Sequence, residues 1–72
     1  MRTKVFEIAR HTGCWSVYHN DHLFRACGRK GEAIRVALVL GRTQLRMGDK
    51  AEVVLRDEAG QPQARKVYAP EG

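Results

Sequence analysis

Between Arg29 and Met47 the apolar residues change to a helical spacing, and this change of period constrains the fold more than any other feature of the chain. Ile34, Ala37, Leu38, Gly41 and Leu45 fall at i, i+3, i+4, i+7 and i+11, so they share one helix face. The spacing predicts one helix over about residues 30 to 47, with Gly48 closing its C-terminus. Its start is weakly marked. Gly28-Arg29-Lys30 supplies no Ser, Thr, Asp or Asn to accept the first backbone N–H groups.

Around this segment the pattern is that of strands. Lys4 to Arg10 mixes Val5, Phe6 and Ile8 with charges and reads as a strand, followed by a turn at Thr12-Gly13. Cys14 to His19 is aromatic and β-branched at Trp15, Val17 and Tyr18. Asn20-Asp21 then supplies a two-residue hairpin loop, because both residues tolerate positive φ, and His22 to Cys27 returns as a third strand. Beyond the helix, Ala51 to Arg56 and Gln63 to Tyr68 form a second hairpin across a turn at Asp57 to Gln61.

The order β-β-β-α-β-β predicts an α+β two-layer sandwich: an antiparallel sheet of four to five strands with one helix packed on one face. Residues 1–72 make a single small domain with a frayed tail at 69–72. The predicted core is Phe6, Ile8, Trp15, Val17, Phe24, Ile34, Leu38, Leu45, Val53 and Leu55.

A chain of 72 residues buries only roughly 60% of the surface that its unfolded form exposes, so a dimer would be a natural aid to stability. Thirteen Lys and Arg against eight Asp and Glu give a net charge of +5, which favours anionic partners. Met1 to His11 lacks the apolar core of a signal peptide, and the apolar run Val36 to Leu40 is too short to cross a bilayer. The expectation is a cytoplasmic protein without a membrane partner, in which Cys14 and Cys27 default to thiols, with a disulfide between them as the alternative.

Three histidines and both cysteines lie in the window His11 to Cys27, as H-x-x-C-x4-H-x-x-H-x4-C. A hairpin with Asn20-Asp21 at its tip would pair His19 with His22, Val17 with Phe24, Trp15 with Ala26 and Cys14 with Cys27. Strand alternation then puts the cysteines on the face opposite to His19 and His22, roughly 15 Å along the ribbon. Zinc requires its ligands within about 2.0–2.3 Å of one point. The window therefore predicts a hairpin, with no metal and no catalytic Cys-His pair.

No Gly-rich phosphate loop, nucleophile elbow or pair of carboxylates at helical spacing is present, so the expectation is a non-catalytic chain with no cofactor and no small-molecule substrate. Two helix surfaces remain. Val36, Leu40 and Met47 lie roughly 120–160° from Ile34 at 100° per residue, and Val39 adds to the arc. Such a second apolar surface predicts a protein-interaction module, acting as a homodimer or with another partner. Arg35, Arg42 and Arg46 recur at i, i+7 and i+11 as a basic stripe beside the core face. Phosphate contacts there give the alternative, a nucleic-acid-binding domain.

Over about residues 4 to 68 the motifs also follow a known order. Gly13 is followed closely by Trp15-Ser16-Val17, then by Arg25-Ala26 and by Glu32-Ala33-Ile34 with Ala37. Glu52-Val53-Val54-Leu55, Gly60 and Tyr68 complete it. In these pieces the chain resembles domain-of-unknown-function family 2188, a family of small bacterial proteins. The resemblance implies a compact strand-helix-strand domain and brings no activity or catalytic residues. Two departures are the insertion of Cys14 between the glycine and the tryptophan, and Gly28-Arg29 where the family has Ser or Thr ahead of the helix.

The core assignment has a direct consequence. Trp15→Ala should cost about 3–5 kcal/mol and unfold much of the population of so small a domain, as followed by thermal melting.

Overall fold

The computed structural model describes residues 3–70. Its elements are β1 (Thr3–His11), β2 (Cys14–His19), β3 (His22–Gly28), α1 (Lys30–Arg46), β4 (Lys50–Arg56) and β5 (Pro62–Tyr68). The five strands form one sheet in the order β3-β2-β1-β4-β5, with α1 packed on one face. The chain is thus the α+β sandwich that its periodicity implies. Three of the four pairings are antiparallel and the central one, β1 with β4, is parallel. The parallel pair follows from connectivity: α1 carries the chain back along the sheet, from edge strand β3 over to β4 beside β1. Of the expected tail, Ala69 and Pro70 have no regular structure, and the final two residues lie outside the described ones.

Local chemistry explains the turns. Thr12 and Gly13 have φ of 50° and 78°, and Asn20 and Asp21 have 50° and 68°. Paired positive φ values make both loops the mirror-image turns whose twist matches that of the flanking strands. At the C-terminus of α1, Gly48 adopts φ 85°, its N–H donates to Leu45 O, and Asp49 N–H donates to Gln44 O. Those two bonds close the helix by a Schellman motif. The N-terminus is as bare as the sequence suggests, with Arg29 in the cap position and no side-chain cap bond. Between β4 and β5, Asp57 Oδ1 accepts from the N–H groups of Ala59 and Gln61, at 3.0 and 2.9 Å.

The β2–β3 hairpin departs from the expected register. His19 does face His22, but Tyr18 then faces Leu23, Val17 faces Arg25, Ser16 faces Ala26 and Trp15 faces Gly28. Phe24 and Cys27 are each an extra residue on β3, so the pairings Val17–Phe24, Trp15–Ala26 and Cys14–Cys27 do not occur. Two bulges, each inserting one residue, account for the slip.

Phe6, Ile8, Val17, Ala51 and Val53 point from the sheet into the core beneath α1, with Trp15, Leu55 and Tyr68 packed around them. The helix meets them through its smallest residues: Ala33, Ala37 and Gly41, four apart, are fully buried. Ile34, Leu38 and Leu45 flank this seam on one side and Val36 and Leu40 on the other; all five are half-buried. The predicted helix face is therefore off-centre: it contains Ala37 and Gly41 but omits Ala33, which the seam buries, and Phe24 is no part of the core.

Gly41 is where the seam is tightest. A Cβ at this position would lie 2.7 Å from Cε2 and 2.8 Å from Cδ2 of Tyr68, and 3.2 Å from Cγ2 of Val53. A Cβ at Gly31 in the first turn would meet nothing within 4 Å. Gly41→Ala gains up to about 1 kcal/mol of helix propensity but overpacks the seam, which typically costs about 1–3 kcal/mol. Denaturant unfolding should show Gly41→Ala destabilised and Gly31→Ala neutral or stabilised. A Tyr68→Ala background should remove most of the Gly41→Ala penalty.

Candidate interaction surface

The off-centre seam decides where every predicted surface residue points. Arg35, Arg42 and Arg46 lie within about 40° of one another at 100° per residue and roughly opposite to Ala37. They form the crest of α1, exposed and away from the sheet, rather than a stripe beside the core face. None of them makes an ion pair among the described residues. The apolar arc divides. Val36 and Leu40 are half-buried against the core, while Val39 keeps 48% of its surface exposed and Met47 67%. A helix seated on small residues turns its flank toward the sheet, so the arc is partly covered without any partner.

On the β3 side, Val36 and Leu40 do not close against the strand. Phe24, lifted out of register by the first bulge, remains 52% exposed. Phe24 and Arg25 on β3 and Arg35, Val36, Val39 and Leu40 on α1 line a shallow, open groove of about 380 Å³. Its lining is mainly aliphatic and aromatic, with the two arginines as its charged groups. Phe24 is the residue that sequence reasoning misplaced. Strand alternation alone put it beside Val17 in the core, and only the strand pairing reveals the extra residue.

Charge is distributed as unevenly as apolar surface. From His22 to Arg46 the chain carries Arg25, Arg29, Lys30, Arg35, Arg42 and Arg46 against Glu32 alone. That difference of five is the whole net charge of +5, and the remaining residues carry seven of each sign. On the sheet face away from α1 the signs are paired across strands. Arg56 donates from Nε to Glu7 at 2.6 Å and from NH1 to Gly60 O at 2.8 Å, and Arg65 lies 3.2 Å from Glu52. Arg10, in step with Phe6 and Ile8 and so not on that face, pairs with Glu58 of the β4–β5 turn.

The histidines and cysteines are scattered along the same strands. His11 faces Cys14 at the β1–β2 turn, and the His19 ring stacks on Phe6 with centroids 4.9 Å apart. His22 is exposed across from His19, and Cys27 lies half-buried against the core. Among the described residues no three His, Cys, Asp or Glu side chains converge on one point. Both cysteines are free. Burial pushes the Cys27 thiol above its ordinary value; the charge of Glu32 adds to the rise and that of Arg25 opposes it. Such a thiol is a poor nucleophile at neutral pH.

Among the described residues no helix is long and apolar enough to cross a membrane. The chain matches no family model, no curated protein and no solved structure.

A raised thiol value has a readable sign. At pH 7.5 the thiolate fraction of Cys27 should fall below that of a free cysteine, so iodoacetamide should alkylate it more slowly, with a rate that climbs as pH rises. Peptide mapping by mass spectrometry checks this, and denatured protein should lose the difference.

Proposed function

We propose that this protein is a non-catalytic interaction module whose partner-binding surface is formed by β3 and α1. The observation that carries the reading is the coincidence of two asymmetries on one face. The open apolar groove of Phe24, Val36, Val39 and Leu40 lies on the two elements that, together with Arg29 between them, carry an excess of positive charge equal to the net charge of the chain. Full burial of a side chain such as Phe or Val contributes roughly 1.5–3 kcal/mol, so covering half-exposed Phe24 and Val39 would supply a useful share of a binding energy. A second copy of the chain is the less favoured partner, because docking these faces would oppose two surfaces of the same sign. The resemblance to family 2188 belongs to the proposal, supported by motif order. So does a reducing, cytoplasmic setting, in keeping with two unpaired cysteines.

A second reading has its own support. Arg35, Arg42 and Arg46 stand unpaired on the helix crest, where phosphates could reach all three. Against it, the face offers one exposed aromatic, Phe24, where single-strand binders use several rings as stacking platforms.

Sedimentation of the purified protein, alone and with duplex and single-stranded oligonucleotides, separates the readings. A module for a protein partner should run as a monomer, and its oligonucleotide binding should be weak and vanish as salt approaches physiological strength. Oligonucleotide affinity that survives there, and is lost on reversing Arg35, Arg42 and Arg46 to Glu, would replace it with the nucleic-acid reading.

A further inference from the structure

On the interaction-module reading above, we infer that the groove between β3 and α1 takes an acidic amphipathic helix from another protein. Its floor and one wall are Val36, Val39 and Leu40, spaced i, i+3 and i+4 along one turn of α1, and Phe24 stands as the opposite wall. Apolar side chains from one face of a partner helix fill such a surface, since they recur at the same spacing. Phosphates or sugars would gain nothing from it.

The rim sets the sign of the partner. Arg25 and Arg35 line the groove, and Arg42 continues the exposed face of Arg35 two turns on. Glu32 is the one acidic residue on these two elements, so a partner flanked by Asp and Glu meets attraction at either end, while a basic flank meets repulsion. The same balance disfavours a second copy of this chain.

The backbone excludes strand addition as the mode of entry. β3 is an edge of the sheet, and its outer N–H and C=O groups would otherwise invite an added strand. The extra residues Phe24 and Cys27 break the regular spacing of those groups twice within seven residues.

The test uses the full chain and four fluorescein-labelled probes. They are a synthetic amphipathic helix with Leu at i, i+3, i+4 and i+7 and Glu elsewhere, the same peptide with Lys for Glu, the acidic peptide with Ser for Leu, and a single-stranded DNA oligonucleotide. Anisotropy gives affinity, and amide chemical shifts of labelled protein locate the contact. The acidic Leu peptide should bind at least about tenfold tighter than the Lys and Ser versions, with shifts clustered at Phe24, Val36, Val39 and Leu40. Val39→Glu and Arg35→Glu should each weaken it by about fivefold or more, while Lys50→Glu, an equal charge reversal at the start of β4, should leave it unchanged. Both groove residues are exposed, so the variants should keep the fold, which thermal melts check. Equal or tighter binding of the Lys peptide in the groove overturns the acidic helix and leaves the interaction module standing. Peptide binding that shifts other residues, or a wild-type dimer that covers the groove, also overturns it. DNA binding at the helix crest with no peptide binding overturns both.

Discussion

Everything above the sheet is oriented by the contact of Ala33, Ala37 and Gly41 with it. Small residues four apart let the α1 backbone approach the strands closely, and the ring of Tyr68 occupies the space that a side chain at position 41 would take. Close packing of this kind has few alternatives, since turning the helix by one residue would drive Ile34 or Leu38 into the seam. The rotation of α1 is therefore set, and with it the position of every residue on the helix. Arg35, Arg42 and Arg46 are carried to the crest, and Val36 and Leu40 to the flank that overlooks β3.

The sheet supplies the second constraint. Its central parallel pair requires a crossover, and the single helix is that crossover, so one element both connects β3 to β4 and roofs the core. One helix cannot roof five strands evenly. It covers β1 and β4 best, and the β3 edge is left with a bulged strand and an open groove. On the opposite face there is no second layer, and ion pairs between neighbouring strands, Glu7 with Arg56 and Glu52 with Arg65, occupy much of the surface. Such pairing matches Glu7 and Glu52 on β1 and β4 with Arg56 and Arg65 on β4 and β5. The unbalanced charge is left to β3 and α1, beside the unroofed apolar surface.

These two constraints connect architecture to the proposed role. A domain this small has little surplus stability with which to hold uncovered apolar groups, so a groove that stays open bears on binding more than on folding. Its rim is basic because Arg25, Arg29, Lys30, Arg35, Arg42 and Arg46 face one carboxylate, Glu32, in this stretch of chain. On the proposed reading, this face would attract a partner through its apolar groove and select it by the sign of its charge.

The sequence by itself determined the number, type and order of the elements, both two-residue turns, the Gly48 helix stop and the missing N-cap, because each is encoded within a few neighbouring residues. Side-chain periods of 3.6 and 2 also placed most of the helix face and the inward residues of β1, β2 and β4. It could not determine the centre of the helix face. Ala33 and Gly41 contribute little to a hydrophobicity pattern, yet their lack of bulk is what the packing selects. Nor could it reveal the bulges, since an extra residue on β3 is defined only by its absence of a partner on β2. Phe24 moved from predicted core to groove wall for that reason, and the arginine stripe from flank to crest for the other. Whatever depended on distant strands and on the fit between layers was settled by the tertiary structure alone, because strand pairing and close packing are relations between segments that no local stretch contains.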